Sequence, residues 1–180
     1  MSLRNTEISY GKLSIILHWL MSVMIICMIA GGFLVENMGK GEIRDLIAAL
    51  HKSTGFLILL LALFRWYWML SNKRPQPVDG VSRAEIAMAH ATKWLLMLAM
   101  IGMPLSGLLM VMLHGHGIDL YGLFEIPSLL AENKTIGRIF GKLHSIGGYA
   151  ISVVVGLHIA GAIYHHFIKK DNTLNRMLGR

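Results

Sequence analysis

The chain has 180 residues, of which 54% are hydrophobic and only 15% are charged, with a mean hydropathy of +0.56. A soluble domain carries charge on roughly a quarter of its residues, so this composition excludes that class and indicates an integral membrane protein in contact with lipid. The net charge of +7 at pH 7 is interpreted as a signal of membrane topology, and no nucleic-acid partner is expected.

The length allows a single domain, residues 1–180, with about four crossings of about 20 apolar residues each. Lipid offers no hydrogen bonds to a bare backbone, so the spans must be helices, and we predict an all-α, four-helix membrane bundle. The first apolar segment is longer than a signal-peptide core and is expected to be retained. The predicted spans, the third of which is most apolar from residue 94 onward, are 13–35, 46–70, 87–113 and 143–168.

The connections between the spans indicate the topology. The longest, residues 114–142, contains an apolar stretch at 120–130 that is predicted to lie on the membrane surface or to cap the bundle. Lys and Arg are more frequent on the side of the termini, which predicts that both termini are cytoplasmic. That side has Arg4, Lys12, Lys73, Arg74, Arg83, Lys169, Lys170, Arg176 and Arg180, and the other has Lys40, Arg44, Lys52, Lys134, Arg138 and Lys142.

Nine histidines are unusual in a chain this apolar, because ionisable groups at membrane depth are rare and tend to be functional. His144 and His158 are 14 residues apart on the fourth span, which puts them on one helix face, roughly 21 Å apart along the axis. His51 lies at the outer level of the second span and can face His144. His18 lies at the inner level of the first span and can face His158.

Two stacked pairs of facing histidines are what two haems with bis-imidazole ligation require. The sequence has one cysteine, Cys27, and no CxxCH sequence, so any haem would be held without a covalent bond. The expected fold is therefore a helical bundle with two haems stacked between the helices, forming an electron path across the membrane. Small residues one turn from the ligands would admit the porphyrins; these are Gly55, Gly147, Gly148 and Gly161.

Two side chains leave alternatives open. Arg65 follows His51 by 14 residues on the same face, where it could pair with a haem propionate or instead extend to the interface beside Trp66. His165 competes with His158 as the inner ligand, although it would stretch the distance from His144 to roughly 31 Å. For the others a solvated role is the default: His90, His114, His116 and His166.

Several short motifs resemble those of the bacterial cytochrome b561 family, the short four-helix dihaem membrane cytochromes. The resemblance covers nearly the whole chain. Its motifs are Leu17-His18-Trp19, Leu50-His51-Lys52-Ser53-Thr54-Gly55 with Arg65 downstream, Pro104-Leu105-Ser106-Gly107, Leu143-His144 with Gly147-Gly148-Tyr149, Gly156-Leu157-His158, and His165-His166-Phe167 followed by Lys170-Asp171-Asn172-Thr173-Leu174.

The resemblance implies two non-covalent haem b groups, with His18 and His158 as axial ligands of one iron and His51 and His144 of the other. It implies electron transfer involving the quinone pool of the bacterial inner membrane. For some members it also implies oxidation of superoxide at the outer face and reduction of ubiquinone. Four cations of the outer side could attract such an anion or could equally be ordinary interface anchors, since the acids of that side balance its cations in number; they are Lys52, Lys134, Arg138 and Lys142.

The expected function is therefore superoxide:quinone oxidoreductase activity, with no catalytic residue assigned beyond the haem ligands. An alternative is a haem-containing membrane anchor that conducts electrons for a separate dehydrogenase or a periplasmic redox protein. A haem-free bundle or a His-ligated metal carrier is a third interpretation.

Overall fold

The computed structural model describes residues 2–180, which form four long helices and three short elements. The helices are α1 (Lys12–Asn37), α2 (Glu42–Leu70), α3 (Arg83–Leu113) and α4 (Lys134–Ile163). Each is long and apolar enough to cross a membrane. The predicted all-α architecture with four spans is confirmed. The first short element is a hairpin of β1 (Ile118–Leu120) and β2 (Phe124–Ile126). The second is a π-helical segment, Tyr164–Lys169, that continues α4, and the third is the short helix α5 (Thr173–Met177).

Three helices, α2, α3 and α4, begin four or more residues earlier than the hydropathy pattern predicts, and in α3 and α4 side-chain caps fix the start. The N-terminus of α3 is fixed by a capping box, in which the backbone N–H of Glu85 donates to Ser82 Oγ (3.3 Å) and that of Ser82 to Glu85 Oε2 (2.8 Å). The first residue of α4 is 134 instead of 143, because the side chain of Asn133 caps it by accepting from the N–H of Ile136 (3.1 Å). Hydropathy detects only the apolar part of such helices.

Both chain termini lie at the same end of the bundle. The N-terminal segment, the 71–82 loop and the C-terminal residues meet at one end, the inner end. Lys73 Nζ lies 2.9 Å from Glu7 Oε1, the N–H of Gln76 donates to the Glu7 carbonyl (2.8 Å), and Arg176 donates to the Gln76 carbonyl (2.6 Å). The opposite end, the outer end, carries the hairpin.

The hairpin packs against the side of α2. Its strands are antiparallel, with Asp119 opposite Glu125. The hydroxyl of Ser53, which is 1% exposed, donates to the Asp119 carbonyl (2.7 Å) and accepts from the N–H of Tyr121 (3.2 Å). The segment predicted to lie on the surface or to cap the bundle therefore contributes backbone contacts to a membrane helix.

The tightly packed core belongs to three of the helices. Its buried side chains are contributed by α1, α2 and α3, whereas Gly137 is the one buried residue of α4 in the described part of the chain. Gly147 allows α4 to approach α3 closely, because a Cβ there would lie 2.6 Å from Met103 Sδ. The fourth helix thus packs along α3 and leaves space toward α1 and α2. The core residues are Met21, Ile58, Ala62, Met97 and Met100.

Candidate functional site

A cavity of about 1500 Å³ runs along the inside of the bundle. Residues of all four long helices line it, including all four predicted histidine ligands and Arg65. Lys52 and Arg44 lie at its outer end, and Lys73 and Arg176 at its inner end. Sites for small molecules usually measure about 300–1,000 Å³, so this cavity has room for more than one ordinary ligand.

The structure brings the histidines together in the two predicted pairs. The ring centroids of His18 on α1 and His158 on α4 are 6.2 Å apart, with the planes at 77°. Those of His51 on α2 and His144 on α4 are 6.1 Å apart, at 86°. Each pair is thus contributed by two different helices, and α4 contributes to both.

The spacing within each pair fits an iron held between two imidazoles. Metal–imidazole nitrogen bonds measure about 2.0–2.1 Å and the ring centre lies about 1.1 Å behind the nitrogen, so two opposed rings on one ion have centroids about 6.3 Å apart. Both observed separations agree with that value. Two neutral nitrogen donors on opposite sides are the axial ligand set of a low-spin haem.

The ring of His144 is fixed by α3. Its Nδ1 lies 3.0 Å from the Met103 carbonyl oxygen and 3.0 Å from Ser106 Oγ. A Cβ at Gly107 would lie 3.0 Å from Cε1 of this ring, closer than nearly all real Cβ contacts. Thus α3 contributes no histidine to either pair, yet it positions the ring of His144.

The ring of His51 has a different environment. Its Nδ1 is buried and has no hydrogen-bond partner within residues 2–180. Gly31 and Gly32 of α1 pack on the ring, and a Cβ at Gly32 would lie 3.2 Å from Cε1. Apolar and glycine packing, instead of a hydrogen bond, holds this side chain.

Arg65 lies at the level of the inner histidine pair. Its Nη1 donates to the Leu17 carbonyl (3.3 Å), and its Nη2 is 3.4 Å from Nδ1 of His18. The side chain is half-buried and lines the cavity. Of the two roles considered from the sequence, this placement favours one inside the bundle over extension to the interface.

The glycines predicted beside the haems divide into two groups. Gly55 and Gly148 line the cavity. Gly147 instead packs on Met103, and a Cβ at Gly161 would meet nothing within 4 Å, so neither provides the small cavity surface expected of it. The glycines that pack on the rings of the two histidine pairs, at positions 31, 32 and 107, lie on other helices than those rings, and spacing along one helix could not identify them.

His165 also lines the cavity, but it is paired elsewhere. Its Nδ1 lies 2.5 Å from Asp171 Oδ2, beyond the end of α4. Burial raises the pKa of Asp171, but hydrogen bonds from His165 and Thr173 outweigh it and keep this pKa below its usual value. Since His158 is the residue that faces His18, the structure does not bring His165 into the inner pair.

The cationic residues of the outer end are not equivalent. Lys134 pairs with Glu132 (3.1 Å), and Arg44 lies 3.5 Å from Asp45. Lys52 lines the cavity and forms no salt bridge within residues 2–180. Of the four cations considered from the sequence, Lys52 is the one at the cavity mouth.

Comparisons with known proteins identify the family of the chain. The family model described as Prokaryotic cytochrome b561 matches residues 9–180. The chain is 31% identical to Cytochrome b561 homolog 2 of Escherichia coli (strain K12), with 100% of this chain and 96% of the relative aligned. It is 28% identical to the Probable superoxide oxidase CybB of Yersinia pestis (94% and 95%) and 23% identical to Cytochrome b561 homolog 1 of E. coli (95% and 97%).

Proposed function

Because the chain belongs to the prokaryotic cytochrome b561 family, we propose that it carries two b-type haems and transfers electrons from the outer face of the bacterial inner membrane to a quinone. The family consists of membrane haem proteins that take part in electron transfer. The observation that supports two haems is the pair of facing histidine couples at two levels of one cavity.

The proposed axial ligands are His51 with His144 in the outer site and His18 with His158 in the inner site. When bound, haem supplies a one-electron carrier that a polypeptide of this composition lacks. The separation of His144 from His158, roughly 21 Å along α4, allows one macrocycle at each level of the cavity.

We assign Arg65 to the inner site. A histidine that binds metal through Nε2 carries its proton on Nδ1, and a guanidinium can only donate. The contact between Arg65 and Nδ1 of His18 is therefore incompatible with that ligation state. We expect the guanidinium to move to an anionic group in the cavity, such as a haem propionate, where a charge-assisted pair is stronger.

The proposed electron donor is superoxide, because a relative that matches nearly the whole chain is named a probable superoxide oxidase. Each superoxide anion would lose one electron and leave as dioxygen. Two such electrons with two protons convert a quinone, for example ubiquinone, into its quinol. Lys52 at the cavity mouth would raise the local concentration of the anion.

The proposed orientation places the inner end, with both termini, in the cytoplasm. What supports it is the count of Lys and Arg in the terminal and loop segments, which is nine at the inner end and six at the outer end, since cytoplasmic segments carry the excess of positive charge. The outer histidine pair would then lie near the periplasm, where superoxide would arrive. The cations that line the inner end are Arg65, Lys73, Arg74, Lys93 and Arg176.

The test is a titration of purified protein. Haem is quantified, and absorption spectra of the oxidised and the dithionite-reduced protein are recorded. A superoxide source and then a ubiquinone analogue are added to the oxidised protein in one cuvette. Two haems per chain that superoxide reduces and quinone reoxidises are expected. Two haems that do not respond to superoxide would refute this donor and favour an electron conduit serving a redox partner. One haem or none would refute the dihaem assignment.

A further inference from the structure

The contacts around Nδ1 of His144 determine where its proton lies. The Ser106 hydroxyl donates to the Met103 carbonyl (2.7 Å), within its own helix. Nδ1 of His144 lies 3.0 Å from that same carbonyl oxygen and 3.0 Å from Ser106 Oγ. Three polar atoms therefore meet in one half-buried cluster. Only one placement of the hydrogens gives every one of these contacts both a donor and an acceptor.

If Ser106 donated to an unprotonated Nδ1, the nitrogen lone pair would face the Met103 carbonyl oxygen at 3.0 Å, which places two acceptors in contact. If Nδ1 instead carries the proton, it donates to both oxygens and the hydroxyl keeps its bond to Met103. In the second arrangement no two acceptors face each other without a hydrogen between them. It also leaves Nε2 as the nitrogen with a free lone pair.

The remaining histidines of the two pairs have no such arrangement. Nδ1 of His51 has no partner within residues 2–180, and Nδ1 of His18 contacts a guanidinium, which cannot accept a proton. In the outer pair, therefore, one imidazole is polarised by two oxygen acceptors and the other by none. Acceptors on the second nitrogen of a metal-bound histidine fix its tautomer and raise its basicity.

We infer that Ser106 is a positioning residue, which together with the Met103 carbonyl holds His144 as the Nδ1–H tautomer and strengthens it as a donor to the outer iron. This inference rests on the proposed function. A stronger imidazole donor stabilises the oxidised iron, so the cluster lowers the reduction potential of the outer haem relative to one held by an unpolarised ligand.

The test compares Ser106→Ala with Ser106→Thr, which keeps the hydroxyl. In Ser106→Ala we expect the transfer of one haem per chain to apomyoglobin to become about tenfold faster. Loss of a hydrogen-bond partner of a ligating histidine typically weakens metal binding by about tenfold to a hundredfold, and we expect the lower value because the Met103 carbonyl remains. We also expect one midpoint potential to shift to a more positive value. That haem should be the one missing from His51→Ala, and Ser106→Thr should resemble the wild type.

Ser152→Ala is the matched control. The Ser152 hydroxyl donates to the Tyr149 carbonyl three residues earlier (2.8 Å), just as Ser106 bonds to Met103, but Ser152 does not line the cavity. Equal haem transfer rates and potentials in the two alanine variants, or an equal shift of both haems in Ser106→Ala, would overturn the inference. Either outcome in a protein whose wild type carries two haems leaves the proposed function intact.

Discussion

The rings of His51 and His144 lie 6.1 Å apart across the cavity, but only the ring of His144 is hydrogen-bonded to α3, which contributes no histidine to either pair. The contribution of α3 is therefore orientation. Its Met103 carbonyl and Ser106 hydroxyl fix one ring nitrogen, and Gly107 leaves space for the ring. A helix that contributes no histidine to either pair therefore still determines the orientation of one of the four rings.

Replacement of one outer histidine should remove one haem. His51→Ala and His144→Ala should each lower the haem content by half, because a single imidazole leaves one axial position of the outer iron without a protein ligand. Pyridine haemochrome analysis measures the content. His116→Ala is the control, since His116 is exposed and does not line the cavity. An unchanged haem content in both cavity variants would contradict the assignment.

Arg65→Gln should weaken the inner site selectively. Loss of a charge-assisted hydrogen bond costs about 1.5–3 kcal/mol, which corresponds to a rise of about tenfold to a hundredfold in haem dissociation. Removal of a nearby cation should also shift one midpoint potential to a more negative value. Spectroelectrochemistry measures the potentials, and Arg65→Lys should restore most of the shift. A change confined to the outer haem would contradict the placement of Arg65 beside His18.

Lys52→Gln should slow the reaction with superoxide and make it less sensitive to salt. A single cation at the mouth is expected to contribute about twofold to fivefold to the rate constant at low ionic strength, and screening removes the effect. Pulse radiolysis at several salt concentrations measures it. Lys134→Gln is the control, because Glu132 already pairs with Lys134. Equal losses in both variants would indicate a diffuse surface effect instead of a local one.

The sequence predicted the parts of the site that depend on position along a helix. Depth in an apolar span and a spacing of 14 residues were sufficient to pair His51 with His144 and His18 with His158, and the structure brings both couples together. The same reasoning placed Arg65 at the inner level. These relations follow from the rise and twist of an α-helix alone.

Contacts between helices could not be predicted in this way. Gly147 was expected beside a porphyrin, but it lies on the face of α4 that packs on Met103, and facing direction depends on the rotation of one helix against another. The Ser106 cluster likewise depends on how α3 and α4 meet. Hydropathy does not detect the early start of α4, because Lys134, Arg138 and Lys142 interrupt the apolar residues of its first turns and keep that part outside the apolar core.

Ser53→Ala should loosen the hairpin from α2. The hydroxyl is buried and satisfies both the Asp119 carbonyl and the Tyr121 N–H, so its removal leaves two backbone groups without that partner, at a cost of about 1–3 kcal/mol. Thermal unfolding in detergent and proteolysis within residues 118–126 measure the effect. Thr54→Ala is the matched control, because it removes only the exposed contact with the Tyr121 hydroxyl (3.0 Å). Since Ile118 lines the cavity, we also expect faster loss of the outer haem in Ser53→Ala. Greater destabilisation by Thr54→Ala than by Ser53→Ala would show that the side-chain contact, and not the backbone cap, holds the hairpin.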